Sequence, residues 1–286
     1  MRAARSQSEF VIVFRRLLRH RLAILGGAVF LGFGLMAALA PWIAPEGPND
    51  INITRRFREP SPSHPLGTDE LGRDVLSRIM YGGRISIALG LVVALTGATV
   101  GGLIGAMSGY FGGVLDSLFM RLVDFMLAIP TLPIMMILSA IIGQGFWQMV
   151  FVLVIFGWIG IARIVRGVVL SLREQDFIAA ARAVGASRSR IILRHVLPNV
   201  MAPIIVAATL GVASAILSES VLSYLGLGIP PNVPSWGNML MKARDYFLRL
   251  PILVVWPGLC IFLTTLSVNF LGDGLRDAID PRLRGR

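Results

Sequence analysis

FMLAIPTLPIMMILSAIIGQGFWQMVFVLVIFGWIGIA fills residues 125–162 without a single charged side chain. A helix crosses a bilayer with about 20 apolar residues, so this run is too long for one crossing. Gly143-Gln144-Gly145 divides it, since glycine interrupts helices and favours turns. The pattern predicts one span near 118–142 and another near 147–170. Pro130 and Pro133 should kink the first of these or break it near its middle.

Four more stretches of that kind lie outward from this run, at 22–44 and 85–107 before it and at 200–224 and 251–271 after it. Six spans are therefore expected, an all-α membrane protein. Composition agrees. Of 286 residues, 55% are hydrophobic and only 15% charged, with a mean hydropathy of +0.73, against about 25% charged in soluble domains. The first span follows a basic stretch but exceeds the usual length of a signal-peptide core. No small-residue cleavage site follows it, so a retained helix is expected. Cys260 is the only cysteine, which excludes a disulfide framework and a cysteine metal site. His20, His64 and His195 lie on separate segments and make no ligand constellation. Asp69 to Asp74 lacks calcium-loop spacing. No cofactor and no catalytic residue are expected.

The net charge of +11 is almost wholly arginine, Lys242 being the only lysine. Six alternating spans put both ends of the chain on one side. That side holds Arg2, Arg5, Arg15, Arg16, Arg19 and Arg21, then Arg121, the arginines from Arg163 to Arg194, and Arg276, Arg282, Arg284 and Arg286. On the other side the arginines between Arg55 and Arg84 are balanced by Glu46, Asp50, Glu59, Asp69, Glu70 and Asp74. The positive-inside rule then places both termini in the cytoplasm. With no nucleic-acid motif present, the arginine excess reads as orientation, and no nucleic-acid partner is expected.

Individual residues add detail. Gly97, Gly101, Gly105 and Gly109 recur every fourth residue, a stripe that lets two helix backbones approach closely in lipid. It serves packing within the subunit or an interface between subunits. Thr68 can cap a helix carrying Asp69 and Glu70 in its first turn, with Leu71, Val75 and Ile79 on one face, an interfacial helix on the outer side. Asp124 is expected to pair with Arg121 at i, i+3, and Arg163 and Arg166 to reach toward the cytoplasmic surface. Glu219 is the most isolated acid. An intramembrane carboxylate is costly and suggests a gate, a bend or a contact with the transported solute, and Ser218 and Ser220 stand beside it.

Residues 171–199 are too polar to insert. Ser171-Leu-Arg-Glu174 has capping-box spacing, with Asp176 a competing cap. The alanine-rich segment after Phe177 favours helix, Gly185 can supply a left-handed cap, and Ser187 can start a second short helix reaching about Arg194. Helix, tight turn, helix is the predicted object. Ala179, Ala180, Ala181 and Ala183 would let another surface come close, whereas an amphipathic hairpin on anionic headgroups is the competing reading.

DFIAAARAVG (176–185), followed after nine residues by HVLP (195–198), resembles the loop with the EAA, glycine and Leu-Pro signature of ABC importer permeases. Ala179 stands where the name-giving glutamate would be. HPLGTDELGRDVLSR (64–78), LSYLGLG (222–228) with Pro230-Pro231 and Trp236-Gly237, and NFLGDGLRDAIDP (269–281) resemble blocks of the second permease chains of dipeptide, oligopeptide and nickel importers. The resemblance runs through nearly the whole chain. It implies the type I importer permease fold in a bacterial inner membrane, with a cytoplasmic N-terminal segment (1–21), an external loop (45–84), a permease core (85–272) and a cytoplasmic tail (273–286). By that resemblance, Asp176, Ala179, Ala180, Ala181, Arg182, Gly185, Ala186, Leu197 and Pro198 would couple the chain to an ATPase. It further implies a homologous second permease chain, two ATP-binding subunits, an external substrate-binding protein, and a peptide or other small solute as cargo. The only lysine precedes Ala243, so the chain holds no P-loop. A self-sufficient channel or secondary transporter is the alternative, with Glu219 as the sole ion-coupling candidate.

Overall fold

The computed structural model describes residues 15–279. Arg2, Arg5, Arg282, Arg284 and Arg286, and with them the start of the N-terminal segment and the end of the tail, lie outside those residues. Within them the chain is almost entirely helical, with no strand beyond one bridge between Thr68 and Asp74.

Five helical segments are long and apolar enough to cross a membrane. They are α1 (Arg21–Ile43), α2 (Val75–Phe111), the pair α5 (Phe146–Gly157) and α6 (Ile159–Arg173), the segment Arg188–Tyr224 and α11 (Ile252–Ile279). Helices α3 (Gly113–Ala128) and α4 (Thr131–Ile142), bent by 92° at their junction, bring the number to six when counted as one span. The bend falls at Ile129-Pro130, where the proline ring bars the preceding residue from helical conformation.

Helix α2 is the centre of the bundle, in contact with α1, α5, α6 and α9 (Leu197–Tyr224). Its glycine stripe settles which surface it serves. A Cβ on Gly101 would stand 2.5 Å from the carbonyl oxygen of Trp158, and one on Gly109 would lie 2.9 Å from that of Arg166. Gly97 and Gly105 face Gly157 and Ala162 in the same way. The stripe therefore seats α2 backbone to backbone on α5 and α6, inside the subunit. Gly105→Val would force the two helices apart. Overpacking of this kind costs about 1–3 kcal/mol or more, and the expected result is a sharp fall in the yield of monodisperse protein in detergent, measured by fluorescence-detected size exclusion.

The segment before α2 departs from expectation. No helix starts at Thr68, because its hydroxyl is engaged elsewhere: it donates to the Arg55 carbonyl and accepts from Arg58 N at 2.9 Å. Asp69 instead folds a tight turn, its Oδ1 accepting from Leu71 N at 2.9 Å and Arg73 N at 3.0 Å. Gly72 closes that turn with φ +72°, a left-handed conformation that ends any helical course. Asp74 is the real cap, accepting from Ser77 N at 2.7 Å, and α2 begins at Val75. His64 lies 3.2 Å from the other oxygen of this buried carboxylate.

One ion-pair expectation is corrected as well. Asp124 pairs with Arg163, not Arg121, and Arg166 grips Asp116 through two bonds of 2.6 and 2.7 Å. Both arginines tie α6 to α3, a tertiary contact that spacing along one helix cannot reveal.

Candidate functional site: the 171–199 hairpin

Helix α6 runs through Ser171 to Arg173, so the capping box is not formed and Glu174 closes the helix instead. The next helix, α7 (Asp176–Ala183), is capped at Gln175 by backbone alone. Its end matches expectation closely. Gly185 has φ +79°, Gly185 N donates to Arg182 O at 3.0 Å, and Ala186 N donates to Ala181 O at 3.1 Å. This pair of bonds is the Schellman arrangement, which satisfies carbonyls that a helix end leaves free. Ser187 Oγ then accepts from Arg190 N at 3.3 Å and starts α8 (Arg188–Ile191).

Between α8 and α9 the helix widens into a single π turn at Ile192–Val196, where Leu197 N reaches back to Ile192 O. Pro198 explains it: the ring has no N–H and crowds the carbonyl four residues earlier. Asn199 Nδ2 donates to the His195 carbonyl at 2.6 Å. The chain passes into α9 without stopping, so Pro198 marks a bulge rather than a boundary.

Two buried residues pin the hairpin. Ile178 and Ile191 are fully enclosed with Ala106, Tyr110, Val165, Val169 and Val200, below the ends of α2 and α6. Leu197, Ala181 and Ala186 are half-buried against the same cluster, so of the expected coupling residues these three touch the anchor. Asp176, Ala179, Ala180, Arg182, Gly185 and Pro198 are exposed, and Ala181 and Ala186 half-exposed. The hairpin thus buries one face and presents the other.

That outward face carries residues the loop motif did not single out. Val184 is 85% exposed, Leu193 65% and Phe177 40%. Apolar side chains so exposed in an otherwise arginine-rich segment mark a surface built to be covered. Beside them Ala181, Val184, Gly185, Ala186 and three basic side chains (Arg190, Arg194, His195) surround a hollow of about 330 Å³. Their neighbours did not mark them, since Val184 stands between Ala183 and Gly185 and Leu193 follows Ile191-Ile192.

Glu219 lies far from the hairpin and is completely buried. Ser86 Oγ on α2 donates to its Oε2 at 3.1 Å, and Ser223 Oγ donates to its Oε1 at 2.7 Å. Each hydroxyl has one proton and gives it to the carboxyl. Its lone pairs then accept from the loop after α9, Ser86 from Trp236 N at 3.3 Å and Ser223 from Ile229 N at 3.1 Å. Of the two serines flanking Glu219 in sequence, Ser220 is 3.5 Å away, while Ser86 was invisible to local reading. Trp236, also fully buried, donates Nε1 to the Ile79 carbonyl at 3.0 Å and begins the short helix α10 (Trp236–Ala243). Glu219 is the hub of a clasp joining α2, α9 and this loop. It does not line the apolar groove of about 520 Å³ between α2 and α9, which is walled by residues such as Leu91, Leu95, Met201 and Ile205.

A helical bundle of six apolar spans, carrying a pinned polar hairpin at one end and a clasped loop at the other, defines a multi-pass membrane transport subunit. The chain belongs to the family described as binding-protein-dependent transport system inner membrane component, whose model matches residues 101–285. Residues 8–60 match a second model, the N-terminal TM domain of oligopeptide transport permease C. It is 41% identical over 272 residues to the dipeptide transport system permease protein DppC of Alkalihalophilus pseudofirmus, covering 95% of this chain and 89% of that one. The oligopeptide transport system permease protein OppC of Bacillus subtilis is 38% identical, with 93% and 87% covered. The glutathione transport system permease protein GsiD of Escherichia coli O6:K15:H31 is 40% identical, with 95% and 90% covered. The chain is a permease subunit of the inner membrane.

Proposed function

We propose that this permease forms half of the pathway of an ABC importer for peptides or similar small solutes and takes its energy through the 171–199 hairpin. The observation that carries the reading is the hairpin itself, rigidly capped at Gly185, pinned by Ile178 and Ile191, and exposing Phe177, Val184 and Leu193 among arginines on its outward face. A rigid lever with a sticky surface suits the transmission of motion from a separate protein. The arginine distribution supports a cytoplasmic hairpin and cytoplasmic termini, and the names of the relatives support peptide cargo.

In this reading ATP is hydrolysed by two partner subunits, a homologous second permease completes the pathway, and an external binding protein delivers the solute. ATP-driven closure of the ATPase pair draws the two hairpins together, and the pathway reopens outward. At the opposite end the Glu219 clasp holds the 225–236 loop against α2, acting as part of the outer gate. The enclosure of Glu219 by serines speaks against ion coupling through this carboxyl and hence against a self-sufficient secondary transporter.

The test is cysteine cross-linking from Val184 in native membranes, with purification of the adducts. The expected product joins the chain to an ATP-binding subunit. A Val184 site labelled by impermeant reagents from outside the cell, or uptake by the purified chain alone, would overturn the proposal.

A further inference from the structure

A second hollow, of about 630 Å³, opens between the hairpin and the ends of α2 and α6. Its walls include Tyr110, Phe111, Arg173, Glu174, Arg182 and Arg188. Three guanidiniums share it with one acid, and that acid is engaged: Arg173 Nε donates to Glu174 at 3.1 Å. Asp116, on α3, is held by Nε and Nη2 of Arg166. Arg182 lies over the Tyr110 ring, 5.8 Å from its centroid, and neither it nor Arg188 has an acidic partner among the described residues.

Arg188 is placed against its own electrostatics. It stands in the first turn of the helical segment Arg188–Tyr224, where the backbone dipole is positive, and that turn contains no acid. Cations are unfavourable there and anions favourable. An anion in the hollow would answer both the dipole and the two unmatched guanidiniums. Guanidinium forks match phosphate oxygens two at a time, and the volume suits a headgroup-sized ligand.

The level of the hollow favours a lipid source. Tyr110 and Phe111 end the membrane-crossing helix α2, and Phe111 is exposed beside the opening. Aromatic residues at such ends sit among headgroups. We infer that this hollow is a binding site for a phosphate-bearing anion, the headgroup of an anionic phospholipid in the leaflet beside the hairpin. Bound there, the phosphate braces α7 and α8 against α2 and α6. The inference rests on the reading above only for which leaflet supplies the lipid.

The full transporter, reconstituted in nanodiscs of phosphatidylcholine or of an equal mixture with phosphatidylglycerol, provides the test. Native mass spectrometry reads retained lipid, and a thermal scan reads stabilisation. The wild-type complex should retain phosphatidylglycerol and melt higher in the mixed discs. The Arg182→Gln/Arg188→Gln double variant should lose retention by about tenfold or more, as two charge-assisted contacts are removed. Arg121→Gln, an exposed arginine outside the hollow, should keep it. Equal retention by wild type and double variant would overturn the site. If inorganic phosphate in phosphatidylcholine discs gives the whole stabilisation and phosphatidylglycerol none, the lipid assignment is overturned in favour of soluble phosphate. Loss of ATPase subunits from the double variant with lipid retention intact would likewise overturn it, showing that these arginines face protein. Arginine-dependent retention in a complex whose hairpin fails to cross-link to an ATPase would leave this inference standing and sink only the coupling proposal.

Discussion

Gly185→Pro is expected to leave the chain in the membrane and to abolish uptake. Gly185 has φ +79°, whereas proline fixes φ near −65° and has no N–H, so the bond to the Arg182 carbonyl is lost with the turn. The angle between α7 and α8 would then change, so Ile178 and Ile191 could no longer both stay seated under α2 and α6, while the packing of α2 on α6 and α9 should still let the spans assemble. Gly185→Ala separates strain from packing. No atom lies within 4 Å of a Cβ at that position, so its only penalty is the left-handed backbone, about 1–2 kcal/mol. Reduced but measurable uptake is expected. Ala180→Glu approaches the same surface from the other direction. The residue is exposed, so stability should change by no more than about 0.5 kcal/mol. A charge introduced into a closely packed docking face can cost about 2 kcal/mol, roughly thirtyfold in affinity for the ATPase. Whole-cell uptake, membrane abundance by immunoblot and co-purification of ATPase subunits together distinguish these effects. Normal uptake by both Gly185→Pro and Ala180→Glu would remove the hairpin from the mechanism.

What could be read from sequence and what could not follows from the range of the interactions. The spans, the division at 143–145, the break at Pro130 and the cap at Gly185 depend on composition or on residues a few positions apart, and these were legible. The sequence alone also limited the glycine stripe to close packing, but its partner, the backbone of 157–169, needed coordinates. Local reasoning failed where a nearby residue offered a plausible partner and a distant one took it. Thr68 had helix-capping spacing, yet its hydroxyl binds the backbone of Arg55 and Arg58. Asp124 had Arg121 three residues away, yet Arg163 on another helix holds it. Ser171 and Glu174 had capping-box spacing, but the preceding apolar face continued α6 through them, with Val169 buried on it. Within the hairpin, spacing alone could not separate Ile178, which anchors, from Val184, which projects. Their difference comes from the turn at Gly185 and the position of α2 above it.

The second large effect is expected from Glu219→Leu. The leucine would fill the space of the carboxyl, but Ser86 and Ser223 would each lose the acceptor to which their hydroxyls donate. An unsatisfied buried polar group costs about 1–3 kcal/mol, so the pair would cost several. The damage would not stop at the serines, because the same hydroxyls orient Trp236 N and Ile229 N and so hold the 225–236 loop on α2. A lower thermal midpoint, increased proteolysis in that loop and loss of uptake should appear together. Glu219→Gln keeps one oxygen able to accept from a serine and should fall between wild type and Glu219→Leu in all three measurements. Ser86→Ala tests the clasp from its other side. It removes one of the two hydrogen bonds between α2 and Trp236, leaving the carboxyl and the bond to the Ile79 carbonyl in place, so the loop should loosen in proteolysis, but less than in Glu219→Leu. A carboxyl that touched the solute would behave differently: Glu219→Leu would change which solutes are taken up, with the thermal midpoint and the loop unaffected. That result would move Glu219 from the clasp to the pathway, because a group enclosed by serines can reach a passing solute only in a conformation in which those serines have let go.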